Sequence, residues 1–429
     1  MAERRYRFDA TARRHGHLVI GGSPLKLFRL TAAGAGVADD IGSGRPIPDS
    51  ALIRALVDAG VVHPVIGSDT VGDTAVTIVV PSLGPPGRLP EGALLVDDGS
   101  QPPLTGAAVR LERTSGPGAA RNAGLARVTT PLVAFVDTDV YTPEGWLDAL
   151  LPHFDDERVA VVAPRVRSEP GPAALARYEA DHSPLDLGAE PARVRAGTRV
   201  SYVPAAAIVC RTDVVRAIGG FDDGLRFGED VDLVWRLDRA GWHVRYEPAS
   251  VVTHAPRATW PEWFRQRVGY GSSVAPLARR HPGALAPIRM NGWSVAAWVV
   301  GVAVHPVAGA AIGVGSAAAL VRKLGDVPPR VAFGLAWRGN LHAGEQIAAA
   351  IRRVWWPLLL VAALRSRRAR RVLVAAVLAR RHPVGVVDDV AYSIGLWRSM
   401  FDERTLTPLV PEISSWPPRG APSPPGNGG

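Results

Sequence analysis

Hydrophobic positions fall into three regimes along the chain. In the first, residues 1 to about 70, apolar stretches are short. Residues 18–20 followed by Gly21-Gly22 read as a strand and turn, and 25–30 alternate apolar and polar as in a half-buried strand. Thr31 is placed to cap a following helix, and 51–57 read as a second helix, stopped by Gly60 ahead of Val61-Val62. In the second regime, about 71–285, the runs 75–80, 93–96, 131–136 and 159–163 are continuously apolar and rich in β-branched residues, as in strands covered on both faces. Between them, 143–151 predict a helix with Pro143 and Glu144 in its first turn. Residues 227–237 predict another, with Leu233, Val234 and Leu237 on one face. The third regime, 286–400, carries long apolar stretches at 293–320, with His305-Pro306 inside, and at 354–364 and 372–378. From 401 the chain turns polar, and from Thr407 it is rich in Pro, Gly and Ser and expected to be disordered.

These regimes predict a small α+β module with a winged-helix-like outline, an open α/β sheet flanked by helices, and an apolar helical region. With 429 residues, the chain can bury the cores this needs. The small module suits either peptide recognition or a structural cap on the next domain.

Composition narrows the partners. Hydrophobic residues make up 47% and the formal net charge is +9, which excludes a chain disordered throughout. A basic balance suits nucleic acid, anionic lipid or a phosphorylated substrate. No basic patch interleaved with aromatics is present, which argues against nucleic acid. The cations gather instead beside the C-terminal apolar stretches, at Arg352-Arg353, Arg365, Arg367-Arg368, Arg370-Arg371 and Arg380-Arg381. Trp and Arg at apolar boundaries suit an anionic membrane surface, with one or two spans, and the competing reading is an Ala-rich bundle packed on the preceding domain. The single cysteine, Cys210, excludes an internal disulfide and fits a reducing compartment. The polar first residues carry no secretory signal, so the expected location is the cytoplasmic face of the membrane.

Candidate chemistry sits at the predicted strand ends. The 131–136 strand runs into Asp137-Thr138-Asp139, whose carboxylates at i and i+2 point to one side of an extended chain. Such a pair is more often turn chemistry, but it can also hold one hard divalent cation. The 93–96 strand ends in Asp97-Asp98-Gly99-Ser100, which fits a ligand crevice at the carboxyl edge of an open sheet. Glycines 116 and 118 precede a small-residue helix carrying Arg121, suited to a phosphate or base contact or to a tight turn. Glu229-Asp230 opens the 229–237 helix, where it can cap or act as a general base. His254 ends another strand, where alone it reads more simply as a satisfied surface histidine.

Taken in order, Val-Asp-Asp-Gly-Ser (96–100), Ala-Ala-Arg-Asn-Ala-Gly (119–124), Asp-Thr-Asp (137–139), Gly-Gly-Phe-Asp (219–222), Gly-Glu-Asp-Val-Asp-Leu (228–233) and His254 resemble the family-2 glycosyltransferases of the GT-A fold over roughly 74–256. The wider chain is similar to the mycofactocin-system branch, through Gly-Gly-Ser-Pro-Leu (21–25), Ser-Pro-Leu-Asp-Leu-Gly (183–188), Tyr-Val-Pro-Ala-Ala-Ala (202–207) and Arg-Val-Gly-Tyr-Gly-Ser (267–272), among others. The resemblance implies a mixed sheet flanked by helices and an inverting transfer of a hexose from a nucleotide-sugar donor to a hydroxyl. It implies Mg²⁺ or Mn²⁺ held by Asp139, supported by Asp137 and with His254 as a further ligand. Asp98, with Asp97 beside it, and Arg121 would hold the donor. Asp230 would be the base, with Glu229 the alternative, and 177–207 would shape the acceptor pocket. The branch implies UDP-glucose as donor, the small peptide-derived cofactor precursor pre-mycofactocin as acceptor, and a β-1,4-linked glucose product. A lipid or cell-envelope polysaccharide acceptor, a sugar-phosphate nucleotidyltransferase and a non-catalytic scaffold are the alternatives.

The sequence departs from the family at one place. Only residues 81–92, rich in Pro and Gly, separate the first two strands of the sheet, where a parallel crossover normally holds a helix. The division expected is 1–70 recognition or cap module, 71–285 transferase domain, 286–400 membrane-associated helices and 401–429 tail.

Overall fold

The structure, a computed structural model, describes residues 3–65, 75–380 and 382–414. It forms two compact units, Met1–Trp263 and Phe264–Gly429.

The first unit is built on a mixed nine-stranded sheet. Its order is Val109–Arg110, Leu94–Asp97, Val76–Ser82, Leu132–Val136, Ala207–Arg211, Val159–Ser168, His243–His254 and Val140–Tyr141, with Ala192–Val194 also paired to His243–His254. The β-branched runs form its centre because every residue of Leu132–Val136 is buried. Val76–Ser82, Leu94–Asp97 and Leu132–Val136 are parallel, so their carboxyl ends share one edge of the sheet. Ala207–Arg211 runs antiparallel to Leu132–Val136, which sets Ala207 opposite Val136. Asp137 N–H extends that ladder by donating to Ala206 O at 2.9 Å. Val76–Ser82 and Leu94–Asp97 pair in parallel although the residues joining them form only turns and bends.

Helix Pro117–Leu125 lies against this sheet at van der Waals range through Gly124. A Cβ at Gly124 would fall 2.3 Å from Val79 Cγ1 and 3.0 Å from Val96 Cγ2. Gly124→Ala would gain about 1 kcal/mol of helix propensity. Both obstructing groups are buried in the sheet core, so overpacking outweighs that gain. The expected net loss is about 1–3 kcal/mol in unfolding free energy, read from the midpoint of urea denaturation.

The small module contains the antiparallel sheet Arg13–His15, Leu18–Gly21 and Lys26–Arg29 and helices Ala32–Gly42 and Ala51–Asp58. Thr31 and Ser50 cap these helices, their side chains accepting from Gly34 N–H and Ile53 N–H at 3.2 Å each. The module is fastened to the rest of its unit: Arg199 N–H donates to Ser23 Oγ at 2.7 Å, and His243 Nε2, at the start of a sheet strand, lies 3.1 Å from Asp58.

Three expected elements differ. The 143–151 segment is a series of turns followed by the 3₁₀ helix Leu151–Asp155. Gly145, at φ +74°, breaks the α-helical course, and i→i+3 bonds such as Asp148 N–H to Gly145 O replace the α-helical ones. The 293–320 stretch is two helices, Gly292–Ala303 and Pro306–Lys323, because Pro306 starts a new helix behind the His305 cap. The chain beyond Thr407 is ordered as far as the described residues go. Glu412–Ser414 pairs with Arg289–Asn291, and Trp355 Nε1 donates to Leu409 O at 3.1 Å. The remainder of the expected tail, 415–429, lies outside the described residues.

The second unit is helical. Its run Pro329–Arg365, 37 residues, is long and apolar enough to cross a membrane by length and composition, a measure the core helix of a soluble protein also meets. A π-helical turn, Ile351–Trp355, interrupts it. There Arg352 and Arg353 both donate to Asp389, at 2.7 and 2.6 Å.

Candidate functional site

The shared carboxyl edge of the sheet gathers the acidic motifs. Asp97 ends its strand fully buried, and its carboxylate accepts from the N–H groups of Ser100 and Leu104 at 2.8 and 3.1 Å and pairs with Arg110. Asp98 is also buried. Its Oδ1 accepts from Ser115 N–H at 2.8 Å and its Oδ2 from Gly116 N–H at 3.0 Å. Gly99 is required between them and the loop, since at φ +75° any Cβ would meet Arg113 and Thr114 backbone atoms at 2.5 Å. Both carboxylates therefore have internal partners, and together they fold the segment that leads into helix Pro117–Leu125.

Arg121 on that helix is 3% exposed and divides its fork between two motifs. Nη1 donates to Glu229 Oε1 at 2.7 Å and Nη2 to Asp137 Oδ1 at 2.6 Å. Burial opposes its charge, but the two carboxylates outweigh it and hold the guanidinium more firmly protonated than usual. Asn122 beside it fixes the Gly-Gly-Phe-Asp turn. Its Nδ2 donates to Phe221 O at 2.8 Å, and its Oδ1 accepts from Phe221 N–H at 2.9 Å. A groove of about 700 Å³ opens along the 119–122–123 face of the same helix and is lined by none of the acidic motif residues.

Asp139 lies beyond the strand end, where Val140 pairs with His254 across antiparallel strands. That register brings His254 Nε2 to 3.1 Å from Asp139 Oδ2, with Arg257 Nη2 at 3.3 Å from the same oxygen. Burial pushes the Asp139 carboxyl up, yet the His254 contact and the nearby Arg257 hold it below the ordinary carboxylate range. Among the described residues, no group of three or more His, Cys, Asp or Glu side chains is gathered as a ready cage. Asp139 and His254 make a close carboxylate–imidazole pair, and Asp137 is engaged by Arg121.

Helix Glu229–Arg239 starts after Gly228, which sits in the left-handed region at φ +81°. Its first two residues have different surroundings. Glu229 is buried and ion-paired to Arg121. Asp230 accepts from two backbone groups, Ala205 N–H at 3.2 Å and its own neighbour Val231 N–H at 2.8 Å. Burial raises the pKa of both, and the charge of Asp230 adds to the rise at Glu229. A carboxylate of raised pKa, with no ion pair among the described residues, is the better proton acceptor of the two.

The 177–207 region meets the site through Ala205 N–H on Asp230, through Ala206 O, which accepts from Asp137 N–H, and through Glu179 Oε2, which accepts from Arg257 N–H at 3.4 Å. Sequence reasoning missed Arg257. Its signal was slight, a lone arginine three residues beyond His254 with no apolar pattern to place it.

Comparison with known proteins gives the family. Residues 98–269 match the model of the glycosyltransferase like family 2. The chain is 40% identical over 446 aligned positions to a pre-mycofactocin glycosyltransferase of Mycobacterium tuberculosis, covering 93% of this chain and 95% of the relative. It is 26% identical over 194 residues to the succinoglycan biosynthesis protein ExoA of Rhizobium meliloti, covering 45% of this chain and 47% of that one. A solved mannosyltransferase of Pyrobaculum calidifontis, in complex with GDP-Man and Mn²⁺, aligns at 15% identity and a TM-score of 0.43, over 79% of this chain and 90% of that one, too remote to bear on the chemistry. A mixed sheet with its acidic motifs at one edge, matched along nearly its whole length, makes this chain a GT-A-fold enzyme belonging to the family-2 glycosyltransferases.

Proposed function

We propose that the enzyme moves a hexose, glucose from UDP-glucose, to a hydroxyl of a small peptide-derived acceptor of the pre-mycofactocin type, with inversion and in a β-1,4 linkage. The observation that carries the mechanism is the difference between the tandem carboxylates. Arg121 claims Glu229, whereas Asp230 is held only by backbone N–H groups among the described contacts. Asp230 is therefore the base. It takes the acceptor hydroxyl proton as that oxygen bonds to the anomeric carbon and the bond from that carbon to the diphosphate oxygen breaks. The Ala205 N–H orients its carboxylate, and the buried Arg121 fixes the Asp137 strand end relative to the base helix.

The corner of Asp139 and His254 fits a hard divalent cation: one carboxylate and one imidazole lie 3.1 Å apart, and donor oxygens and water would complete the shell. Mg²⁺ or Mn²⁺ held there would supply positive charge against the leaving diphosphate. Asp137 supports this end through Arg121 rather than as a direct ligand. Asp97 and Asp98 hold the loop beside the donor, so any contact of theirs with the nucleotide base is made through that loop's shape. The long identity to a pre-mycofactocin glycosyltransferase favours the peptide-derived acceptor over a lipid or polysaccharide. The apolar run Pro329–Arg365, with the arginines around it, supports a place at the cytoplasmic face of the membrane.

The test is incubation of the purified protein with a panel of nucleotide sugars, with and without Mg²⁺ or Mn²⁺ and a hydroxylated peptide acceptor. The expected result is UDP release with UDP-glucose that rises with acceptor, together with hexose mass increments on the acceptor. Release of pyrophosphate from a nucleoside triphosphate and a sugar phosphate would replace this reading with nucleotidyl transfer.

A further inference from the structure

The shortened connection between the first two parallel strands brings a residue to the donor end of the site. It is fixed at three points. Ser82 Oγ donates to Gly84 O at 2.8 Å, and Gly84 N–H donates to Ser100 Oγ at 2.9 Å, tying its start to the Asp97-Asp98-Gly99-Ser100 turn. Gly87 runs against the Asp-Thr-Asp segment so closely that a Cβ there would lie 3.1 Å from Thr138 O. Leu89 then packs against the sheet core. The residue between these last two anchors is Arg88. It is exposed, and its guanidinium carbon stands 5.0 Å from the centre of the Tyr141 ring. Tyr141 follows the turn of the Asp-Thr-Asp segment, which Val140 N–H closes on Asp137 O at 3.1 Å. Arg88 thus sits beside the Asp-Thr-Asp segment, between the Gly87 contact with Thr138 and the Leu89 anchor, with its guanidinium on Tyr141.

We propose that Arg88 is a donor-positioning residue: it supplies a guanidinium to the diphosphate of the nucleotide-sugar donor, with Tyr141 as its rest. This deepens the proposed transferase reading and rests on it. Three carboxylates, Asp137, Glu229 and Asp230, surround the buried Arg121. An anionic donor landing there gains from cations at the rim, and an arginine fork suits phosphate oxygens better than a lysine does.

The test uses the full chain and compares Arg88→Gln and Arg88→Lys with the unaltered protein. Binding is measured by calorimetry for the tightest of UDP, GDP and ADP, and for its nucleoside, with and without Mn²⁺. Arg88→Gln is expected to weaken diphosphate binding about tenfold, a loss of about 1.4 kcal/mol, while nucleoside binding stays within twofold. Arg88→Lys is expected to recover part of the loss, and donor KM is expected to rise with little change in kcat. Equal weakening of nucleoside and diphosphate would mark a loop defect and overturn the role, as would unchanged diphosphate binding in Arg88→Gln. Failure of the unaltered protein to bind any nucleoside diphosphate would overturn the transferase reading and the role of Arg88 with it.

Discussion

Asp230→Asn is expected to keep donor binding and lose transfer by about 10²- to 10⁴-fold, the range for a missing acid–base group. The substitution keeps the shape of the side chain but only one of the two oxygens that accept from Ala205 N–H and Val231 N–H, so one backbone contact goes with it. What also goes is the capacity to take a proton. The pH profile separates this from misfolding. Because burial raises the Asp230 carboxyl, kcat/KM of the unaltered enzyme should climb as pH rises through a value above the ordinary carboxylate range. In Asp230→Asn that limb should vanish from whatever rate remains. A near-normal rate with the limb intact would transfer the role to Glu229, despite its ion pair with Arg121.

The second large effect is expected at the other end of the site. Asp139→Ala should abolish detectable transfer and make diphosphate binding insensitive to Mg²⁺ or Mn²⁺. Of the acidic residues at the Asp-Thr-Asp end, Asp139 is the one whose carboxylate meets His254, at 3.1 Å. Its carboxyl is held below the usual range and stays ionised, as a ligand must be. Calorimetric titration of UDP with and without Mn²⁺ reads the loss without relying on turnover. Undiminished metal dependence in the variant would remove Asp139 from the proposed corner. Asp137→Ala should instead act through Arg121, altering both ends of the site at once.

The sequence made the mixed sheet legible because its central strands are buried on both faces, and burial on both faces leaves an unbroken β-branched run such as 132–136. It could also order the acidic motifs at strand ends, since parallel strands bring their carboxyl ends to one edge. It could not apportion partners. Nothing in Asp97-Asp98 or Glu229-Asp230 tells which carboxylate will be consumed by a backbone N–H or an arginine more than a hundred residues away, because those contacts depend on register and loop path. The 143–151 segment carried helical start signals, and one glycine at positive φ overrode them. In 286–400 apolarity marked Gly292–Ala303, Pro306–Lys323 and Arg367–Leu378, but Pro383–Asp402 went unread and only the latter part of Pro329–Arg365 stood out. Its first half mixes Arg330, Arg338 and Glu345 among apolar residues, which dilutes the pattern.

Arg121 makes the two ends of the site a single coupled system. Its planar fork reaches one carboxylate at the strand end and another at the helix start, and those arms lie 16 and 108 residues away in sequence. Whatever draws on one arm alters the other, so occupancy at the strand end and the proton affinity beside the base are linked, and the linkage is reciprocal. On the proposed assignment, a donor bound at the strand end would thereby shift the proton affinity beside Asp230 through one side chain.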